Sequence, residues 1–325
     1  MKTSVVMATY NGGRYLGSQL RSILDGFVVP DEIIVVDDGS TDDTHAILKK
    51  YLPAFPSSQL ILNHSNSGAT SSFVSATLAS TGDLVFFADQ DDVWSRDKVS
   101  TMLEAASSQH SSLKLIFSNG VITDAELHNS DRTIFQTRRR PIQIPNAERL
   151  KIDIAANPDI KGCTMAIDGS FAREILRRSD PSFSIYWGHD HWLALFAYGL
   201  GKVKALDKIL IQHRFHSQNT SRAERFSLFS HRHIHSYIKK AQAQSHDHLV
   251  QRYLIAIEHA KSWGDQFDTE LMLALQEILS AAEERRSVTK SQWYMRPVKA
   301  WAIYRSGKYH RFFNGGATAI RDIFL

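Results

Sequence analysis

The stretch FFADQDDVW, Phe86 to Trp94, sets the terms for reading the chain. Its apolar start reads as a buried strand, yet it ends at once in Asp89, Asp91 and Asp92. Clustered carboxylates repel one another, and each costs free energy to desolvate unless a cation or hydrogen-bond donors compensate. A hard divalent cation, which takes oxygen ligands, would supply that compensation.

Strand-like and helix-like segments alternate around this stretch. TSVVMATY reads as a strand, and NGGRYLGSQLRSILDG follows with Tyr15, Leu16, Leu20, Ile23 and Leu24 at helical spacing. DEIIVVDDGS is the next strand, and TDDTHAILKKYL a helix with acids in its first turn. QLILNHS, DLVFFADQ and LKLIFSNGVITD read as further strands, with a helix in GATSSFVSATLAST. This order predicts an α/β fold, a mostly parallel sheet with flanking helices on both faces.

HNSDRTIFQTRRRPIQIPN breaks the alternation and reads as a mobile loop. KGCTMAID then reads as a strand, SFAREILRR as a helix, and YWGHDHWLALFAYGLGK as a loop followed by a helix. VKALDKILIQHRFHSQNTS reads as a short strand pair ending in a polar loop. Beyond Ser221 the pattern is helical, with Phe267, Leu271, Leu275, Ile278 and Ala282 on one apolar face.

A length of 325 residues suits one large domain or two linked ones. The single cysteine, Cys163, excludes an intramolecular disulfide. The apolar run at the N-terminus is too short for a secretory signal. No stretch reaches the roughly 18 apolar residues of a spanning helix. The expectation is a cytoplasmic protein, soluble or peripheral on the inner face of the plasma membrane. From Arg285 onward nine Lys/Arg face one acid, Asp322, a net +8 that leaves −4 on the rest of a +4 chain. Such a tail suits an anionic partner: nucleic acid, phospholipid headgroups or a charged glycan.

Ligands of parallel α/β sheets bind beyond the carboxyl ends of the strands. Thr9, Tyr10 and Asn11 end the first strand, Asp37 and Asp38 the second, and Asp89 to Asp92 the fourth. Tyr10 can stack on a base, Asp38 can accept from a pyrimidine or ribose edge, and Asp89 with Asp91 can coordinate a divalent cation bridging phosphates. Each signal alone has a plainer reading: DDGS as a turn or cap, Tyr10 as packing. Together they trace the length of a nucleoside diphosphate.

In this order, VVMATYNGGRYL, IIVVDDGSTDDT, FFADQDDVW and GHDHWLAL resemble the successive signatures of family 2 glycosyltransferases with a GT-A fold. DQDD-x-W, GCTMA and HD-x-W-L-A-L are similar to the bacterial rhamnosyltransferase branch. The resemblance implies a Rossmann-like GT-A domain, with residues 1–118 binding the nucleotide sugar and 119–221 holding the acceptor and catalytic base. Residues 222–325 would be a basic, helical C-terminal extension.

On the same resemblance, Thr9, Tyr10, Asn11, Asp38, Gly68 and Asp89 would hold the nucleotide. Asp89 and Asp91 would bind Mg2+ or Mn2+, and Asp190 would be the catalytic base. Asp92, Arg214, His216 and Asn219 would serve the diphosphate or support it. His189, His191 and Trp192 would lie toward the acceptor, with Trp192 also readable as packing. The implied donor is dTDP-rhamnose, and the acceptor a saccharide or lipid-linked glycan of bacterial surface polysaccharide or lipopolysaccharide. Three positions depart from the branch, which usually has an aromatic where His191 stands, a tyrosine at the place of His213 and an asparagine near the position of Ser72.

The chemistry asks for these parts independently. A departing nucleotide gathers charge on its diphosphate, which a metal and a cation such as Arg214 or His216 would stabilise. The acceptor hydroxyl must lose a proton to one carboxylate, and a single base without a second nucleophilic carboxylate means inversion. Asp190 alone could also cap the helix after it. His231, His233 and His235 read as a solvated basic face rather than a zinc site.

The basic, aromatic segment WYMRPVKAWAIYRSGKYHRFF suits anionic lipid or packing on the core. Alternatives to this account are a UDP-hexose donor on the same fold, a sugar-nucleotide nucleotidyltransferase, and a non-enzymatic nucleic-acid binder. NGGRYLG is a poor version of the Gly-rich, basic phosphate loop that a nucleotidyltransferase needs after its first strand, and the acidic sheet edge weighs against nucleic acid.

Overall fold

The structure is a computed structural model that describes residues 1–107, 112–135, 151–156, 160–216, 246–313 and 315–324. Its chain divides into two compact units, one of residues 1–149, 159–179 and 188–223, the other of 150–158, 180–187 and 224–325.

The first unit is built on one sheet. β1 (Thr3–Thr9), β2 (Glu32–Asp37) and β4 (Leu84–Asp89) are buried almost throughout, as their unbroken apolar, β-branched sequences require of strands covered on both faces. β1 pairs in parallel with β2 and β4, and β3 (Ser58–Leu62) forms the exposed edge beside β2. Beyond β4 the pairing mixes: β8 (Met165–Asp168) is antiparallel to β4 and to β6 (Leu113–Thr123). β9 (Lys202–Arg214) runs parallel to β6, and β5 (Val93–Trp94) closes antiparallel on β9. The spatial order is β3-β2-β1-β4-β8-β6-β9-β5, with β7 (Asn129–Thr133) also paired to β6.

Side-chain alternation along the strands sorts the two faces. Val5, Met7, Ile33, Val35, Phe86 and Ala88 pack in one cluster with α1 (Leu16–Leu24) and α4 (Lys98–Ser107). On the opposite face Phe87 meets Phe73 of α3 (Ala69–Ala79), ring centroids 5.8 Å apart. α2 (Thr44–Tyr51) follows the β2 turn, where Gly39 takes φ +84°, a conformation costly for any residue with a Cβ. Asp168 caps α6 (Gly169–Arg178) by accepting the Phe171 N–H at 2.9 Å. α8 (His189–Leu200) is apolar nearly all round and correspondingly buried.

The second unit is helical among its described residues. It contains α5 (Lys151–Ala156), α7 (Phe183–Tyr186), α9 (His246–Lys261), α10 (Thr269–Thr289), α11 (Arg296–Arg305), α12 (Lys308–Phe312) and α13 (Gly316–Phe324). Phe267 and the α10 residues Leu271, Leu275, Ile278 and Ala282 are all buried, as their spacing predicts. Asp268 caps α10 through the Leu271 N–H and also accepts from Lys151, both at 2.8 Å. Asp322, fully buried, receives Arg285, His246 and Tyr309, tying α10, α9 and α12 to α13.

The expected division at 118/119 falls inside β6, so the two halves share one sheet and one unit. Two sequence readings need correction. The expected strand pair after Val203 is one long strand: Ser118 pairs with Leu206 and Asn119 with Ile209, so Asp207 and Lys208 bulge out while β9 continues. Part of the expected loop, Asn129–Thr133, is β7, and the remainder from residue 136 lies outside the described residues. So do Asn219, His231, His233 and His235. Among the described residues no helix is long and apolar enough to cross a membrane.

Candidate active site

The carboxyl ends of β1, β2 and β4 lie side by side, as their parallel register demands, with Ala8 paired to Asp89 and Thr9 to Asp37. Gln90 locks two of them together. Its side-chain oxygen accepts from Thr9 Oγ1 at 2.7 Å and the Tyr10 N–H at 3.0 Å, and its amide donates to the Tyr10 carbonyl at 3.2 Å. Asn11, at φ 47°, receives the Thr41 N–H at 2.9 Å and gives its own N–H to Ser40 at 2.8 Å. Gly12 has no room for a side chain, because a Cβ would stand 2.3 Å from the Gln90 oxygen. The loops are thereby fixed while Tyr10 stays 47% exposed, leaving its ring face free to meet a planar base.

Asp38 is buried and organises the next loop. Its oxygens accept from Asn63 Nδ2, the Ser67 N–H and hydroxyl, and the Gly68 N–H, at 2.8–2.9 Å. Burial works to raise its pKa, yet these donors hold the carboxyl below its ordinary value. Gly68 meets Asp38 at φ 91°, at the N-terminus of α3. A ligand reaching this carboxylate would have to share it with that loop.

At the end of β4 the acids crowd together. Burial, then the charges of Asp92 and Asp91, push the Asp89 carboxyl up to about 7. Burial and Asp92 also raise Asp91, against the pull of His216, whose Nε2 lies 2.9 Å from an Asp91 oxygen. Raised carboxyls mark repulsion that a divalent cation would relieve, so Asp89 and Asp91 fit a hard metal such as Mg2+ or Mn2+.

Asp92 has a different part. It is fully buried, and one oxygen accepts from His213 Nδ1 at 2.9 Å and the Arg214 N–H at 3.0 Å, while the other has no hydrogen-bond partner. The Lys98 ammonium is buried nearby, 4.0 Å over the Trp94 ring and donating to the Cys163 carbonyl at 2.6 Å. Burial lowers Lys98 to about 8, and the charges of Asp92 and Asp89 are among those holding it up.

Asp92, Cys163 and His213 bring ligand atoms within 4.8 Å of one another. Burial drives the Cys163 thiol well up, however, and a thiol kept protonated is a poor metal ligand. This cluster therefore supports the carboxylates above it. Arg214, also buried, donates to the Asp91 carbonyl at 2.7 Å and lies 4.6 Å over the Tyr15 ring, on which His216 also stacks. Its guanidinium braces the Asp91 turn.

Asp190 sits in the first turn of α8, one residue past the start, with Gly188 at the cap position. Its oxygens accept the His191 N–H at 2.8 Å and the Gly162 N–H at 3.1 Å. Burial opposes its charge, but His189, His191 and those two N–H groups hold the carboxyl below its ordinary value. Its charge reaches Asp89, helping to raise that group. An ionised carboxylate thus stands within electrostatic reach of Asp89.

Two expected acceptor contacts are corrected. Trp192 is fully buried and donates its indole N–H to Ser179 at 2.8 Å, so no face of it can meet a sugar. His189 is buried between Phe73 and Phe87, with centroids 4.1 and 5.3 Å away, and burial lowers it to about 4, keeping it neutral. His191 remains partly exposed beside Asp190.

Sequence reading missed Gln90, Lys98 and Tyr15. Gln90 lies inside the DQDD motif, and Lys98 opens α4 four residues after Trp94. Tyr15 was assigned only to the helix core.

Residues 4–158 match the sequence model of glycosyl transferase family 2. The chain is 25% identical to an uncharacterized glycosyltransferase of Nostoc sp. over 94% of this chain and 88% of that protein. It is 28% identical to the dTDP-rhamnosyl transferase RfbG of Shigella flexneri, over 59% of this chain and 64% of that one. In structure it resembles Staphylococcus aureus TarS in complex with UDP, at TM-score 0.57 and 17% identity, covering 96% of this chain and 83% of the other. A mannosyltransferase from Pyrobaculum calidifontis, in complex with GDP-Man and Mn2+, gives TM-score 0.52 at 16% identity, over 94% of this chain and 75% of that one. The shared architecture is the GT-A fold.

Proposed function

We propose that this chain, whose residues 4–158 match the model of glycosyl transferase family 2, is a glycosyltransferase that transfers rhamnose from dTDP-rhamnose with inversion. The acceptor is a saccharide or lipid-linked glycan of bacterial surface polysaccharide or lipopolysaccharide, met on the cytoplasmic side of the membrane. The observation that carries the reading is the carboxylate arrangement: two raised acids, Asp89 and Asp91, with one depressed acid, Asp190, within electrostatic reach. Similarity to RfbG supports the donor sugar.

In this reading Tyr10 stacks on the base, and Thr9, Asn11, Asp38 and Gly68 shape its seat. Asp89 and Asp91 would hold Mg2+ or Mn2+, which when bound would neutralise charge on the diphosphate. His216 orients Asp91, and Asp92 and Arg214 fix the turn that presents it. Asp190, held ionised, takes the proton from the acceptor hydroxyl as that oxygen attacks the anomeric carbon. No second carboxylate is needed as a nucleophile, so displacement is single and the anomeric configuration inverts.

A UDP-hexose donor is the second reading, favoured by the likeness to S. aureus TarS, solved with UDP-GlcNAc. A panel of dTDP-, UDP- and GDP-sugars, each with Mg2+ or Mn2+, separates the two. The proposal expects slow hydrolysis of dTDP-rhamnose above all others, abolished by chelation. Preference for a UDP-sugar would replace the donor, and pyrophosphate release would replace the reaction.

A further inference from the structure

The second unit carries a face that its described residues leave uncovered. Trp293 is 79% exposed and Trp301 60%, with Tyr294, Met295 and Val298 also exposed between them. Val298, Trp301 and Arg305 recur at three- and four-residue spacing and so share one side of α11. Ala300 and Ile303, on its other side, are buried in a small core with Val288, Tyr309 and Ala319. The helix is thus already anchored by one face, and the aromatic face is surplus to that packing.

Charge distinguishes this surface from an ordinary apolar patch. Between Ser291 and Arg321 the sequence holds six Lys/Arg and no acid. Lys308 and Arg311 are paired with Glu284 and Glu277 of α10. Arg296 and Lys299 donate to backbone carbonyls and, among the described residues, form no ion pair with an acid. Arg305, exposed, stands at the end of the aromatic stripe. Exposed indoles flanked by cations match the interfacial layer of a bilayer, where rings sit at headgroup level and anionic lipids attract basic side chains.

We propose that the Trp293–Arg305 surface docks this enzyme on an anionic phospholipid bilayer, the aromatic rings entering the headgroup region and Arg296, Lys299 and Arg305 facing lipid phosphates. The proposal gives a location to the membrane contact that the glycosyltransferase reading implies, and its test uses no sugar substrate.

Flotation of the full chain with phosphatidylglycerol–phosphatidylcholine vesicles, against phosphatidylcholine alone, provides that test. The expected result is binding to the anionic vesicles only, with a blue shift of tryptophan emission and release in high salt. Lys299→Gln and Arg305→Gln should each weaken binding about fivefold. Trp293→Ser with Trp301→Ser should weaken it roughly tenfold or more, with circular dichroism and donor hydrolysis unchanged. Equal binding by the double-tryptophan variant would overturn the proposal. So would a concentration-dependent dimer that this variant abolishes, because the face would then belong to a second copy. Loss of donor hydrolysis in the unsubstituted chain would count against the enzyme reading and leave the vesicle result standing.

Discussion

His216 Nε2 lies 2.9 Å from a carboxylate oxygen of Asp91, joining the segment after β9 to the acidic turn after β4. Both side chains are largely shielded from water, so the contact is stronger than a surface pair. His216 also stacks on Tyr15 at 4.7 Å, which fixes its ring. His216→Ala should leave the fold intact and raise the donor KM about tenfold or more, the worth of one charge-assisted hydrogen bond. Steady-state kinetics across donor concentrations checks this, and an unchanged KM would remove His216 from the site.

Lys98 is the buried counter-charge beneath the acids. Lys98→Met keeps the volume but removes the buried positive charge that offsets Asp92 and Asp89 and leaves the Cys163 carbonyl without its donor, at a cost of about 3–5 kcal/mol. Thermal unfolding should fall by roughly 10 °C for a unit of this size. A melting curve that did not move would show that the ammonium contributes nothing there.

The second unit depends on Asp322. Burial works to raise this carboxyl, but hydrogen bonds from His246, Arg285 and Tyr309 hold it at about 2, below its ordinary 3.8. Between those values the unfolded chain binds more protons than the folded one, so stability rises with pH. The contribution is complete above about 4 and disappears as pH falls through about 2. Acid titration followed by circular dichroism should show helical loss in that window. Asp322→Asn should destabilise at neutral pH, by leaving Arg285 buried without its charge partner, and should flatten the acid limb.

Much of the architecture was legible because burial on both faces forces unbroken apolar strands, as in β1, β2 and β4. Asp89 and Asp91 could be picked out because charge at the end of such a strand demands a reason. What stayed hidden was long-range pairing. Asp92 meets His213 across 121 positions, and neither residue's local sequence announces the other. Asp207 and Lys208 read as a turn, yet the register shift lets β9 pass them by. Trp192 read as packing or acceptor contact, and only its full burial decided between them.

The central claim is that Asp190 removes the acceptor proton. Asp190→Asn preserves shape and keeps one acceptor oxygen for the backbone N–H groups of Gly162 and His191, while removing the base. Sugar transfer, measured beside nucleotide affinity on the same preparation, tests it most directly. The account predicts transfer reduced about a thousandfold with nucleotide affinity unchanged. Near-normal transfer by Asp190→Asn would contradict it.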